Sequence, residues 1–185
     1  MQDGNRDSIT IPYRSTGEFM ATRRLKSKTN PQFSHLDSTG AVRMVDVAGK
    51  EATQRTATAR GEIEVGKAIA GALRKNGAVA KGNVWETARL AGILAAKRVD
   101  SLIPLCHTLP LDSVAIDFRL TGQRVEITAV ARTTGRTGVE MEALAAVTVA
   151  ALTIYDMCKA LGKGMVIRKI ELVEKTGGKS GPWRR

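Results

Sequence analysis

A carboxylate and an ammonium group three residues apart, Asp156 and Lys159, follow a run from Ala143 to Tyr155 that contains no charged residue. At helical spacing both side chains project from one helix face. As an exposed pair they would contribute little to stability. The apolar run before them predicts a covered helix, and a buried, perturbed acid–base pair is typical of a functional site. The sequence leaves both interpretations open.

Two further groups of polar residues lie where folding does not require them. Cys106 and His107 lie on the loop predicted between a long helix and a hairpin. They could suggest a nucleophile and its base, but neighbouring side chains on an extended loop point apart, which argues against such a dyad. Glu140 and Glu142 begin the apolar helix, where the helix dipole already favours acidic residues. Ordinary packing or helix-dipole effects explain each group as well as a binding site does.

Lysines beside glycines mark positions where a ligand can approach the backbone closely. Lys81 precedes Gly82, and Lys175 and Lys179 flank the glycines near the carboxyl end. The segment GGKSG is not a Walker motif, because Val173 occupies the position that requires glycine and no helix can follow. Two histidines and two unpaired cysteines are too few for a zinc site, so we expect no metal and no cofactor.

The net charge of +11 predicts a polyanionic partner, which could be nucleic acid, an acidic membrane or a small polyphosphate. Residues 1–32 hold six Lys/Arg against three Asp/Glu, a charge of +3, so +8 belongs to the rest of the chain. The basicity is therefore a property of the part that is predicted to fold. Charge alone does not distinguish the three partners.

A small α+β domain must position these residues. Alternating apolar residues predict strands, and helical spacing predicts helices. Asn83 is the predicted N-cap of the longer amphipathic helix, with Glu86 completing a capping box. After an extra N-terminal strand, the order β-α-β-β-α-β is that of a ferredoxin-like sandwich. The predicted elements are strands 42–47 and 54–65, helices 66–75 and 83–102, strands 114–120 and 125–129, helix 138–161 and strand 165–175.

The helix over 138–161 has almost no polar face, since Thr148 and Thr153 are its only clearly polar members between residues 143 and 155. A surface helix of a two-layer domain normally has one wet face. Another subunit is the most economical cover, so we expect a homo-oligomer larger than a dimer.

Residues 1–32 lack hydrophobic periodicity, and we interpret them as a mobile, dispensable basic extension preceding one domain over residues 33–185. Met20 is an alternative start within this extension. We expect a cytoplasmic protein without a membrane partner, because no apolar run approaches roughly 18 residues, no segment has signal-peptide character, and the two cysteines form no C-x-x-C pair.

Several segments together resemble one family. In chain order they are DSTGAVRMVDV (37–47), ARLAGILAAKR…LIPLCH (88–107), TGVEMEAL (137–144), AALTIYDMCKA (150–160) and KTGGKSG (175–181). This combination is similar to the cyclic pyranopterin monophosphate synthases of molybdenum cofactor biosynthesis. The resemblance runs from about residue 34 to residue 181, and IPLCH, GVEMEAL and IYDMCK in one chain form a highly specific signature.

The resemblance implies a lyase that rearranges 3′,8-cyclo-7,8-dihydro-GTP into cyclic pyranopterin monophosphate and releases diphosphate. It also implies a ferredoxin-like fold and a hexamer of three dimers, with active sites at subunit interfaces. By position it implies catalytic roles for Asp156, Lys159 and Lys81. The substrate-binding residues that it implies are Leu105, Cys106, His107, Glu140, Met141, Glu142, Arg55, Lys175 and Lys179.

The departures from the family pattern are few. Thr108 stands where Pro is common, Asn83 stands where Asp is frequent, and residues 182–185 are short and unlike the usual ending. An RNA-binding module shares the predicted element order, but such modules stack bases on exposed aromatic side chains of the central strands. Aromatic residues make up only 4% of the chain, and Phe118 is in register with core-facing residues. A homologue without catalysis is the third interpretation, although every implied catalytic position is filled.

Overall fold

The computed structural model describes His35, Leu36 and residues 39–185, apart from the side chain of Asn76. The predictions made for residues 1–32, including their mobility and the alternative start at Met20, lie outside the described residues. In chain order the described elements are β1 Thr53–Glu64, α1 Gly66–Asn76, β2 Ala78–Val79, β3 Gly82–Asn83, α2 Val84–Ala96, α3 Val99–Leu102, β4 Ser113–Thr121, β5 Arg124–Gly135, α4 Glu140–Cys158, β6 Val166–Thr176 and β7 Trp183–Arg184.

The main sheet is antiparallel, with strand order β4-β5-β1-β6-β7. β1 pairs with β5 along its whole length, from Thr53 opposite Gly135 to Glu64 opposite Arg124. The predicted hairpin is confirmed, since β4 and β5 pair up to Thr121 opposite Arg124. The fold is therefore mixed α+β, as predicted, with its longest strands at the centre of the sheet.

The prediction of an extra N-terminal strand over residues 42–47 is wrong. Within the described residues, this segment makes only an isolated bridge between Val42 and Leu36 and joins no sheet. Apolar alternation is present, but the segment has no adjacent strand with which to form a ladder. Val45 and Val47 are instead half-buried in the wall of a cavity described below.

Two predicted boundaries also differ, the end of the longer helix and the end of the strand predicted over 125–129, which continues to Gly135 as β5. The helix predicted over 83–102 ends at Ala96, because the backbone at Arg98 (φ −127°, ψ 21°) leaves the helical region before α3 begins. Its start is as predicted, because the Asn83 side chain accepts a hydrogen bond from the Glu86 backbone N–H at 3.2 Å. The carboxyl-terminal tail contributes β7, which pairs with the end of β6 and was not predicted.

Helices α2 and α4 pack against each other, and α4 lies against strands β1, β5 and β6. Small residues allow this close packing. A Cβ added at Gly92 of α2 would lie 2.7 Å from the Ala146 carbonyl oxygen of α4, and one added at Gly61 of β1 would lie 2.5 Å from Val147 Cγ1. Both positions are therefore restricted to glycine by the proximity of α4.

The apolar helix α4 is covered mainly by its own chain. Its buried residues face the sheet and α2. By length and composition alone α4 could cross a membrane, with a mean hydropathy of 1.5, but half of that window is buried inside the chain, as in a core helix. One stripe stays partly or fully exposed, and it runs along Met141, Ala145, Thr148, Leu152, Asp156 and Lys159.

Candidate functional site

Three predicted catalytic residues meet at the carboxyl-terminal end of α4. Asp156 bridges two lysines: Oδ1 lies 2.6 Å from Lys159 Nζ, and Oδ2 lies 2.9 Å from Lys81 Nζ. Lys81 Nζ also donates to the Asp156 backbone carbonyl at 3.0 Å. We call Lys81, Asp156 and Lys159 the lysine–aspartate cluster. It combines a carboxylate with two ammonium groups within hydrogen-bond distance.

Local structure explains how the chain delivers Lys81 to α4. Lys81 lies in the tight turn between β2 and β3, followed by Gly82 with φ +115°, a conformation that side chains rarely adopt. The turn is held next to α2 by the Asn83 cap and by the hydrogen bond from the Val84 N–H to the Gly77 carbonyl. Since α2 packs on α4, the turn meets the last helical turn that carries Asp156.

The cluster is exposed in a single chain, with side-chain exposures of 46% for Lys81, 57% for Asp156 and 49% for Lys159. The buried pair considered from the sequence is therefore not seen within one chain. The hydrogen bonds from Lys159 and Lys81 lower the pKa of Asp156 to about 2, and the carboxylate in turn raises the pKa of Lys159. At neutral pH the cluster therefore holds an ionised carboxylate between cations.

The predicted binding segments line a separate cavity of about 480 Å³ at the other end of α4. The loop before β4 contributes Leu105, Cys106 and His107, and the first turn of α4 contributes Glu140, Met141 and Glu142. The structure thus brings together six of the nine predicted binding residues. The first of these segments follows α3 in the chain, and the second follows β5.

The two acidic residues of this cavity differ in their surroundings. Glu142 is only 4% exposed, and burial raises its pKa to about 6. Glu140 instead pairs with Lys175 Nζ at 3.2 Å. Burial also raises the pKa of the Cys106 thiol, which makes it a poor nucleophile at neutral pH. The cavity therefore offers a carboxyl group that can change its protonation near neutral pH and a carboxylate held by a cation.

The ring of His107 is fixed by a backbone contact. Its Nε2 lies 2.8 Å from the carbonyl oxygen of Val45, in the segment that was wrongly predicted as a strand. The same segment contributes Val45 and Val47 to the cavity wall, next to His35. It therefore acts as a wall of the site.

A basic loop lies next to the cavity. Lys175 also reaches the Ser180 hydroxyl at 3.3 Å, and Gly177 and Gly178 both have positive φ, +87° and +78°. Arg55 donates to the carbonyl oxygens of Gly135 at 2.9 Å and Arg136 at 3.3 Å, and a side chain at Gly178 would collide with its guanidinium group. Lys179 is exposed and has no side-chain partner among the described residues. Arg55 and Lys175 thus lie close to one glycine-rich turn that can present backbone N–H groups to an anion.

The two groups of site residues are far apart within one chain. Met141 and Asp156 stand at opposite ends of α4, and 15 residues at 1.5 Å per residue correspond to about 22 Å along the helix axis. Within one chain, the cavity and the lysine–aspartate cluster are therefore separated by nearly the whole length of α4. Either the two groups have different tasks, or a second chain brings them together.

Sequence reasoning did not identify the remaining cavity residues. The segments 37–47 and 137–144 had been singled out as motifs, but no residue of the first and neither Thr137 nor Gly138 of the second had been given a role. For Val45, Val47, Thr137 and Gly138, membership in these motifs was the available signal, whereas His35, Leu109 and Leu172 lie outside the motifs. The residues in question are His35, Val45, Val47, Leu109, Thr137, Gly138 and Leu172. Among the described residues, no group of three or more His, Cys, Asp or Glu side chains is arranged to hold a metal ion.

Comparison with known proteins gives concordant matches over most of the chain. The model of the MoaC family matches residues 44–178. A protein of Novosphingobium aromaticivorans is 58% identical over 151 residues, which cover 82% of this chain and 96% of that protein. Proteins of Peptoclostridium acidaminophilum (52% identical, 83% and 98% covered) and Streptomyces coelicolor (53% identical, 86% and 94% covered) are similar over the same extent. All three relatives are named cyclic pyranopterin monophosphate synthase. The chain belongs to the MoaC family.

Proposed function

We propose that this protein is a cyclic pyranopterin monophosphate synthase, a lyase of molybdenum cofactor biosynthesis. The observation that carries the proposal is the near full-length identity of 52–58% to relatives of that name, combined with the side-chain geometry of the lysine–aspartate cluster. The proposed substrate is 3′,8-cyclo-7,8-dihydro-GTP, and the products are cyclic pyranopterin monophosphate and diphosphate.

The cluster suits the proton transfers of such a rearrangement. Opening and reclosing a ring requires protons to be moved on and off carbon and nitrogen atoms. Asp156 is ionised at neutral pH, and because Lys159 and Lys81 hold its pKa at about 2, it can accept a proton once substrate binding displaces one of these lysine partners. The neighbouring ammonium groups of Lys81 and Lys159 can donate one, and their positive charge stabilises the negative charge that develops as diphosphate departs.

The cavity suits the heterocyclic part of the substrate, and the basic loop suits the triphosphate. The cavity of about 480 Å³ is large enough for a small-molecule ligand and combines apolar walls with a few polar groups. Arg55 and Lys175 lie beside it with the glycine-rich turn, and we assign them, together with Lys179, to the phosphates. No nucleic acid and no membrane is needed to account for the positive charge.

We further propose that the complete site forms between subunits of a homohexamer, a trimer of dimers. The separation of about 22 Å along α4 calls for a second chain if both groups serve one substrate. The exposed stripe of α4 ends at Asp156 and includes Met141 and Leu152, which are 37% and 53% exposed. Burying this stripe against a second copy would cover apolar surface and also enclose the cluster.

Two finer assignments belong to the same proposal. Apart from β7 and the short β2–β3 hairpin, the strand order β4-β5-β1-β6 with α2 and α4 on one face supports a ferredoxin-like sandwich.

Phe118 packs on Trp85, with ring centroids 5.4 Å apart, so it does not offer a base-stacking surface of the RNA-binding type. The free cysteines Cys106 and Cys158 support a reducing, cytoplasmic location.

The decisive experiment supplies the purified protein with 3′,8-cyclo-7,8-dihydro-GTP and follows both products. Asp156→Asn and Lys159→Ala should fold and assemble but lose about 10²–10⁴-fold in turnover, as expected for loss of an acid–base group. Melting temperature and substrate titration on the same samples separate lost chemistry from lost structure. Absence of product from the unaltered protein, or near-normal turnover by Asp156→Asn, would contradict the proposal.

A shared site has its own test, because complementary defects can meet in mixed oligomers. Asp156→Asn chains lack the cluster, and His107→Ala chains lack a cavity residue. Unfolding and reassembling the two inactive variants together should restore about a quarter of the sites if each site joins the cluster of one chain to the cavity of another. Reassembly of each variant alone is the control. No recovery in verified mixed oligomers would mean that each chain acts by itself.

A further inference from the structure

The contact between His107 and Val45 determines which nitrogen of the imidazole carries a proton. The Nε2 atom lies 2.8 Å from the Val45 carbonyl oxygen. A carbonyl oxygen can only accept a hydrogen bond, so Nε2 must be the donor and must hold a hydrogen. In a neutral imidazole the other nitrogen, Nδ1, is then an acceptor.

The segment that supplies this carbonyl has the properties of a positioning element. We call residues 39–47 the strap. It belongs to neither of the sheets that the described residues form, and the Arg43 N–H donates to the His35 carbonyl at 2.9 Å. Its Val45 and Val47 side chains line the same cavity as His107. The strap thus forms part of the cavity wall and contacts the neighbouring histidine through a single backbone atom.

We propose that the strap is a positioning element for His107, which it fixes as the Nε2–H tautomer so that Nδ1 meets the bound substrate as a proton acceptor. This inference rests on the proposed function. In the step, a substrate O–H or N–H bond breaks, its electron pair stays on the substrate, and the proton forms a new N–H bond at Nδ1. The imidazole becomes an imidazolium until the proton is returned.

The Val45 carbonyl favours this step physically. Its hydrogen bond from Nε2–H becomes charge-assisted when the ring is protonated, and charge-assisted bonds are the stronger kind. The strap therefore does more than enclose the ligand, because it selects the tautomer and supports its protonated form.

The tautomer can be measured without any turnover. The chain has two histidines, His35 and His107, so a full-length sample labelled with ¹⁵N-histidine gives two sets of imidazole signals in solid-state NMR. His35→Gln assigns them. At a pH that keeps the rings neutral, we expect His107 to show a protonated Nε2 and a bare Nδ1. A protonated Nδ1 with a bare Nε2 would overturn the proposal.

A pair of substitutions separates the two ring nitrogens. The His107→Gln amide can reach the position of Nε2 and keep the donation to Val45, whereas the shorter His107→Asn amide reaches only the position of Nδ1. Both lose the base, so kcat should fall about 10²–10⁴-fold in each. KM should rise clearly more for His107→Asn than for His107→Gln, because only His107→Asn releases the strap.

The outcomes distinguish the failures. A near-normal kcat for His107→Gln would show that Nδ1 is not the proton acceptor. Equal KM values for His107→Gln and His107→Asn would show that the strap does not position His107. If the unaltered protein makes no product from 3′,8-cyclo-7,8-dihydro-GTP, the proposed function fails, and the NMR experiment still decides the tautomer. Melting curves verify that each variant is folded, and a variant that does not fold leaves the NMR result to decide.

Discussion

Replacing Gly92 by alanine should push α2 away from α4. The added Cβ would lie 2.5 Å from Ile116 Cδ1, 2.7 Å from the Ala146 carbonyl oxygen and 3.4 Å from Ala150 Cβ. The tip of Ile116 can rotate, but the Ala146 oxygen belongs to the backbone of α4, so the helices must separate by several tenths of an ångström. Overpacking of this kind costs about 1–3 kcal/mol.

Alanine also has a higher helix propensity than glycine, by about 1 kcal/mol, which offsets part of this cost. A matched control removes that contribution. Gly71 lies inside α1, and a Cβ added there meets no heavy atom within 4 Å. Gly71→Ala should therefore be stabilising by about 1 kcal/mol, and the difference in unfolding free energy between the two variants should be the overpacking cost alone, about 1–3 kcal/mol.

Urea unfolding of both variants at one protein concentration measures this difference, and turnover of the same samples tests its effect on function. Lys81 lies on the turn that leads into α2 and Asp156 lies on α4, so separating the helices should loosen their 2.9 Å contact. We expect reduced turnover for Gly92→Ala and normal turnover for Gly71→Ala. A Gly92→Ala protein as stable as Gly71→Ala would refute the packing argument.

The remaining predictions concern charge and assembly. The raised pKa of Glu142, about 6 against 4.5, means that the native state keeps a proton that the unfolded state has lost, so the contribution of this group to the unfolding free energy should fall by about 2 kcal/mol as pH rises from 4 to 7. Glu142→Gln should lack this loss in urea unfolding at the two pH values, and an unchanged pH dependence would mean that Glu142 is not desolvated. The KM for the triphosphate should rise with ionic strength, because cations such as Lys175 supply much of the binding and salt screens them; a flat salt dependence would argue against the basic loop. Light scattering should show an assembly larger than a dimer, and a stable monomer at micromolar concentration would exclude the shared site.

Local sequence patterns determined most of the fold. Alternation over β1, β4, β5 and β6 and helical spacing over α1, α2 and α4 placed these elements to within a few residues, except where α2 and β5 end. These predictions succeeded because period and propensity act within a few residues. The prediction of Asn83 as the N-cap was correct for the same reason, because Asn83 and the Glu86 N–H that donates to its side chain are only three residues apart.

The same local reasoning failed for the segment 42–47, which it predicted to be a strand. Its apolar alternation is that of a strand, but a strand exists only where a partner offers a free edge, and that depends on the rest of the chain. The structure places Val45 instead against His107, 62 residues away. The same dependence explains β7, which forms because β6 has a free edge beside it.

The sequence indicated which residues could belong to the site, but it did not indicate which of them lie next to one another. Asp156 and Lys159 could be paired from helical spacing alone, whereas the approach of Lys81, 75 residues away, depends on how α2 packs on α4. Likewise, Glu140 and Glu142 look equivalent in the sequence. Tertiary packing gives one of them a lysine partner and buries the other, and a pKa is set by desolvation and neighbouring charge rather than by residue type.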